Sequence, residues 1–246
     1  MLKATAVSKA YRGASRKVKA LEGTALCLEA DERLGLVGPS GCGKSTLART
    51  LALLERPDSG TVELDEETIR RFGLRCPASL RRRVQLLWQS PREAMDPRLS
   101  LRQAILEPAV AANLLTAEKK KKVLGSWAER VGLTDELMGR YPHEVSEGQL
   151  QRACLARALI LEPRYLICDE PTSMLDVSTQ AALLDAIDSE QQRSGLGVLL
   201  ITHDAILARH WCRKVLDWHT DVSHPSAGSY SDPSATEPSA SKLHSG

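Results

Sequence analysis

The stretch GPSGCGKS, residues 38–45, constrains this chain more than any other. It fits G-x-x-x-x-G-K-[ST] at every fixed position. Before it, RLGLVG (33–38) reads as a short apolar strand ending in glycine. After it, KSTLARTLALL (44–54) spaces Leu47, Leu51 and Leu54 as one face of a helix. A strand that turns through glycines into a helix presents a run of backbone N–H groups that can wrap a phosphate. The helix start adds the positive end of its dipole. On this reading Gly38, Ser40, Gly41, Cys42, Gly43, Lys44, Ser45 and Thr46 form a phosphate cradle. Lys44 reaches the β- and γ-phosphates, and the Ser45 hydroxyl suits Mg²⁺, a hard cation that takes oxygen ligands. The expected ligands at this loop are a nucleotide polyphosphate and Mg²⁺.

The rest of the chain supplies a frame for such a loop. Residues 2–8, 18–30 and 60–64 read as strands. From about 90 to 158 the spacing is helical, in LRQAILEPAVAANLL, TAEKKKKVLGSWAERVGL and EGQLQRACLARALIL. Beyond it, YLICDE reads as a strand, TQAALLDAIDSEQQRSG as a helix and GVLLITH as a strand. Alternating strands and helices predict an α/β fold with a parallel sheet covered on both faces, and the helical stretch reads as an insertion. From about residue 220 the sequence turns rich in serine and proline with no apolar period, which predicts a disordered tail over 220–246. The folded domain is therefore expected over 1–219.

Three further residues carry chemistry. Asp169 ends the strand YLICDE and can hold Mg²⁺; Glu170 follows as candidate general base for an attacking water. His203 stands just after GVLLIT, at the carboxyl end of a strand, where such sheets bind ligands. In VSEGQ, Ser146 and Gln149 have the spacing of a capping box that would open the next helix. A helix N-terminus is also an anion site, so this would be a second phosphate contact, offered to another subunit.

The totals exclude some partners. A net charge of +2 gives no global basic field, and aromatics at 4% leave little to interleave with bases, so no nucleic acid is expected. The runs KKKK (119–122) and RRR (81–83) read as solvated helix faces. No apolar run is long enough to span a bilayer, and MLKATAVSKAYRG has no signal-peptide core, so a cytoplasmic chain is expected, with any membrane role arising through a partner. The six cysteines form no CxxC pair and are expected to be reduced and structural.

Taken together, GPSGCGKST, Gln89 in QLLWQSPREAMDPR, VSEGQLQR, YLICDEPTSMLD and ITHD resemble the ATP-binding cassette family over about residues 2–218. The resemblance implies a P-loop NTPase with a RecA-like parallel-sheet core, an antiparallel β subdomain and an inserted helical subdomain. It also implies that two cassettes sandwich two ATP molecules, each between the phosphate loop of one and the signature loop of the other. Ser146, Gly148 and Gln149 would then meet the γ-phosphate across the interface. Gln89 would touch metal and nucleotide and link them to a membrane partner; Asp176 would lie in the loop joining the two sites; Tyr11 would stack on adenine. The chain departs from the family's LSGGQ at Val145 and Glu147. A carboxylate in the first helical turn gains about 0.3–1 kcal/mol from the dipole and is expected to point away from ATP, leaving the site active.

The segments QSPREAMDPRLSLRQAILEP and QLQRACLARALILEPRYLICDEPTS resemble the importer ATPases for peptides and nickel, a branch that includes cassettes of the carbon–phosphorus lyase system. The implied role is the energy-coupling ATPase of a binding-protein-dependent importer at the cytoplasmic face of the membrane, for peptides, nickel or metal chelates. Its partners would be a second cassette, with a heterodimer slightly favoured over a homodimer, two permease subunits and, indirectly, a substrate-binding protein. The alternative is a cassette that drives a soluble enzyme complex. One departure is local: VLDWHTD lacks the glycine that usually follows that strand in a final hairpin. The tail also differs from the longer extension of many peptide-importer subunits.

Overall fold

The computed structural model describes residues 1–12 and 17–222. In chain order it builds β1 (Leu2–Arg12), β2 (Lys17–Leu28), β3 (Arg33–Val37), α1 (Lys44–Leu51), β4 (Ser59–Leu64), β5 (Glu67–Thr68), α2 (Ala78–Arg83), β6 (Val84–Leu87) and α3 (Pro91–Ala94). Then follow α4 (Leu101–Ala111), α5 (Ala117–Arg130), α6 (Asp135–Met138), α7 (Glu147–Leu159), β7 (Tyr165–Asp169), α8 (Val177–Ser194), β8 (Gly197–Thr202), α9 (Ala205–Trp211) and β9 (Lys214–Asp217). Two sheets result: a parallel one in the order β6-β7-β8-β3-β9 and an antiparallel one in the order β2-β1-β4-β5.

The parallel sheet is the middle layer. Every residue of β7 and β8 is buried, which is why these strands read as unbroken apolar runs. Their side chains alternate between two cores. Tyr165, Ile167, Leu199 and Ile201 join Leu47 and Leu51 of α1 and the antiparallel sheet. Leu166, Cys168, Val198 and Leu200 join the opposite core, with Ile105, Trp127, Leu150 and Leu183 from the helices. The helices of residues 90–158 thus share one core with the sheet. Burial of each such leucine or isoleucine contributes about 1.5–3 kcal/mol.

Some expectations needed correction. Helix α1 ends at Leu51: Leu53 adopts φ +61° and fills the core, and Leu54 is exposed, not on the buried face. Strand β1 runs past residue 8 to Arg12, through register shifts around Ala6 (φ +49°), and β2 stops at Leu28. The RRR run is not a solvated face, since Arg83 pairs with the half-buried Asp65, which also accepts from the Tyr165 hydroxyl at 2.8 Å. In the KKKK run Lys119, Lys121 and Lys122 are exposed, as expected. Cys76, Cys154, Cys168 and Cys212 are buried, and burial pushes the Cys154 and Cys212 thiols up to about 12. The chain continues past residue 219 in a single π-helical turn, Trp218–Val222, with both end residues buried. The remainder of the expected tail, 223–246, lies outside the described residues.

Candidate nucleotide site

Parallel pairing brings the chemistry together. β3, β8 and β7 are neighbours, with Val37 opposite Thr202 and Asp169 opposite Ile201. Their carboxyl ends therefore open on one edge, and the loop after β3 meets Glu170 and His203 there. Gly41 (φ +79°) and Gly43 (φ +118°) take left-handed backbone that a side chain would strain. A cavity of about 350 Å³ follows, lined by Ala20, Ser40, Gly41, Gly43, Lys44, Ser45, Thr46, Gln89 and Glu170. Lys44 Nζ donates to the carbonyls of Gly38 and Pro39, each at 2.8 Å, and lies 4.0 Å from the Cys42 thiol. The loop thus holds its own ammonium across its mouth.

Asp169 is 6% exposed, and its Oδ1 is buried with no hydrogen-bond partner. Burial raises its pKa and the Glu170 charge adds to this, while the Ser45 hydroxyl, Arg49 and Lys44 oppose it. A buried carboxylate oxygen without a partner is costly, and a hard cation beside the Ser45 hydroxyl would satisfy it. Among the described residues no cluster of three His, Cys, Asp or Glu could hold a metal. Mg²⁺ does not require one, because it keeps waters and uses one or two carboxylates with substrate phosphates. Ser45 and Asp169 therefore fit that ion.

Glu170 adopts φ +49°, with its N–H donated to the Ile201 carbonyl at 2.9 Å. Left-handed backbone at a non-glycine costs about 1–3 kcal/mol and here turns the side chain toward the cavity. The Glu170 carboxylate lies 4.0 Å from Lys44 Nζ and 3.2 Å from His203 Nδ1. Tyr11 reaches the other end of the loop: its hydroxyl is 3.4 Å from Thr46 Oγ1 and accepts from Arg49 at 3.3 Å, with the ring 37% exposed.

Ser146, Gly148, Gln149 and Asp176 lie outside the cavity lining. Ser146 and Gln149 form the expected capping box on α7: the Ser146 hydroxyl accepts from Gln149 N at 3.2 Å, and Gln149 Oε1 accepts from Ser146 N at 3.0 Å. Ser146 is exposed, whereas Gly148 is buried. A Cβ on Gly148 would fall 2.1 Å from Thr179 Cγ2. Asp176 caps α8 and accepts from Thr179 N at 3.0 Å and Thr179 Oγ1 at 2.7 Å. Hydrogen bonds from Ser178 and Thr179 hold its carboxyl well below the usual range. Thr179 thus joins the signature segment to Asp176. Glu147 pairs with Arg92 at 3.2 Å, and Arg92 also donates to the Pro142 carbonyl at 3.4 Å. Sequence reasoning did not identify Arg92, Thr179 or Ala20. No local pattern marks a pairing that spans 55 residues, as Arg92 and Glu147 do.

A strand–loop–helix phosphate cradle beside an Asp–Glu strand end and a histidine defines a P-loop ATPase-type site. The chain belongs to the ABC transporter family, whose model matches residues 21–173. It is 39% identical over 210 residues to the di/tripeptide transport ATP-binding protein of Pseudomonas aeruginosa, covering 85% of this chain and 65% of that one. It is 40% identical over 201 residues to the oligopeptide transport ATP-binding protein of Haemophilus influenzae, covering 81% and 60%. The chain thus spans less than two thirds of the length of these relatives. A solved dimeric bacterial ABC transporter cassette matches with a TM-score of 0.76 at 25% identity, over 88% of this chain and 94% of that one. A cassette dimer in a post-hydrolysis state with ADP and Pi shares the fold, with a TM-score of 0.77 at 23% identity over the same shares.

Proposed function

We propose that this chain is the ATP-hydrolysing, energy-coupling subunit of a peptide ABC importer. The observation that carries the reading is Glu170, held in left-handed backbone between Lys44 and His203 at the mouth of the phosphate loop. The loop N–H groups of residues 40–46 bind the ATP phosphates. Lys44 exchanges its two carbonyl partners for phosphate oxygens. Ser45, Asp169 and Gln89 would hold Mg²⁺, which when bound offsets phosphate charge. Glu170 accepts the proton of the attacking water. His203, oriented by Glu170, contacts the γ-phosphate, and Tyr11 stacks on adenine.

Ser146, Gly148, Gln149 and Asp176 complete the site of a second cassette, the same chain or a related one, a reading supported by the dimeric solved cassette of the same fold. Among the described residues no helix is long and apolar enough to cross a membrane. In the proposed importer two permease subunits supply the membrane path, with this chain at the cytoplasmic face. A groove of about 440 Å³, lined by Arg81, Arg82, Trp88, Glu107 and Arg157 among others, opens next to Gln89 and suits a permease segment. Names of the relatives favour peptides as cargo; nickel and metal chelates remain within the same reading. Steady-state phosphate release with Mg·ATP tests the core of it. Glu170→Gln is expected to lower kcat by about 10²–10⁴-fold while ATP still binds; undiminished turnover removes Glu170 from the mechanism.

A further inference from the structure

The segment VLDWHTD ends the parallel sheet without the glycine of a hairpin, and the structure shows what replaces it. After β9 the chain closes into the π-helical turn Trp218–Val222. Asp217 Oδ1 accepts from His219 N at 2.9 Å, and Asp221 Oδ2 accepts from Asp217 N at 2.8 Å. The turn drives Trp218 and Val222 into the core that lies under α1, leaving them 3% and 0% exposed.

The indole comes to rest against the phosphate loop. A Cβ on Gly38 would lie 2.6 Å from Trp218 Cβ, and one on Gly43 would lie 3.0 Å from Trp218 Cζ2 and 3.2 Å from Cη2. Gly38 and Gly43 are the first and last glycines of the cradle, so one flat side chain spans both ends of it. Trp218 is buried and packs on the backbone of Gly38 and Gly43, so it acts through the loop. A loop already in its binding shape loses less freedom when a polyphosphate enters. A smaller side chain would leave a void into which the loop could sag, and its N–H groups would no longer converge.

We infer that Trp218 is a positioning residue for nucleotide binding: it fixes the shape of the phosphate loop from behind and thereby sets ATP affinity without touching ATP. The inference rests on the phosphate loop being the nucleotide site, as proposed above. It concerns affinity and leaves the chemistry at Glu170 unaltered.

The test titrates the full chain with a trinitrophenyl-labelled ATP in the presence of Mg²⁺ and measures kcat and KM alongside. Trp218→Ala is expected to raise Kd and KM about ten-fold with kcat changed less than about two-fold. Trp218→Phe, which keeps a flat ring, is expected to restore most of the affinity. Val222→Ala, in the same turn and core, is expected to lower the melting temperature but leave Kd unchanged. Wild-type Kd in folded Trp218→Ala, or an equal loss of affinity in Val222→Ala, would overturn the inference. If Trp218→Ala does not fold, Trp218→Leu is judged by the same two criteria. Lys44→Ala separates the premises: loss of labelled-ATP binding there upholds the phosphate loop as the nucleotide site even if the Trp218 variants behave as wild type.

Discussion

Asp169 carries a cost that its neighbours only partly offset. Burial raises its pKa, so the native protein favours the protonated acid more than the unfolded chain does. The associated stability is present at low pH and is lost as pH rises through the raised, folded pKa. At neutral pH the ionised group is therefore a net burden while no cation sits beside it. Asp169→Asn is expected to raise the melting temperature at pH 7 without Mg²⁺ and nucleotide, to lose that advantage as the solution is acidified, and to abolish Mg²⁺-dependent turnover. A lower melting temperature at pH 7 would show that the carboxylate is well satisfied after all. Glu147 is a milder case. Its ion pair with Arg92 is partly exposed, and such pairs contribute about 0.2–1 kcal/mol or less. Glu147→Gly is thus expected to change ATPase activity by less than about ten-fold, and a rise of several orders of magnitude would contradict this. Asp169, Glu170 and His203 were legible because each sits at a strand end marked by an apolar run. Arg92 and Trp218 were not, because their partners are distant in sequence.

At the scale of elements, α7 and α8 are fitted to one another through Gly148 and Thr179. An alanine methyl at 148 would overlap Thr179 Cγ2, so Gly148→Ala is expected to destabilise the chain by about 1–3 kcal/mol in urea denaturation. Thr179→Ser removes the offending methyl and is expected to recover much of that loss in the double variant, a coupling that a purely phosphate-contacting glycine would not show. Ser146→Ala removes the α7 cap and is expected to cost about 0.5–2 kcal/mol by the same measurement. The capping box and the period of α8 could be read directly, since both are local. The end of α1 could not: helical spacing assigns Leu54 to the core, but the left-handed turn at Leu53 reverses that assignment. Strand β6 was missed because four residues that follow three arginines carry too short a pattern.

Across the whole molecule, the strand order decides function, and it depends on pairings that no local pattern encodes. Alternation of strands and helices predicted a parallel sheet; it did not predict that β3 would lie between β8 and β9. That placement sets the phosphate loop beside Glu170, whose carboxylate meets His203, while Ser146, Gly148 and Gln149 lie outside the cavity lining. Under the function proposed above, such a subunit acts within an assembly. The most direct measurement is therefore native co-purification of the tagged chain in mild detergent, with partners identified by mass spectrometry. The account predicts two multi-span permeases, with a second copy of this chain or a related cassette. Soluble enzyme subunits and no membrane protein would contradict the importer reading and favour the enzyme-complex alternative.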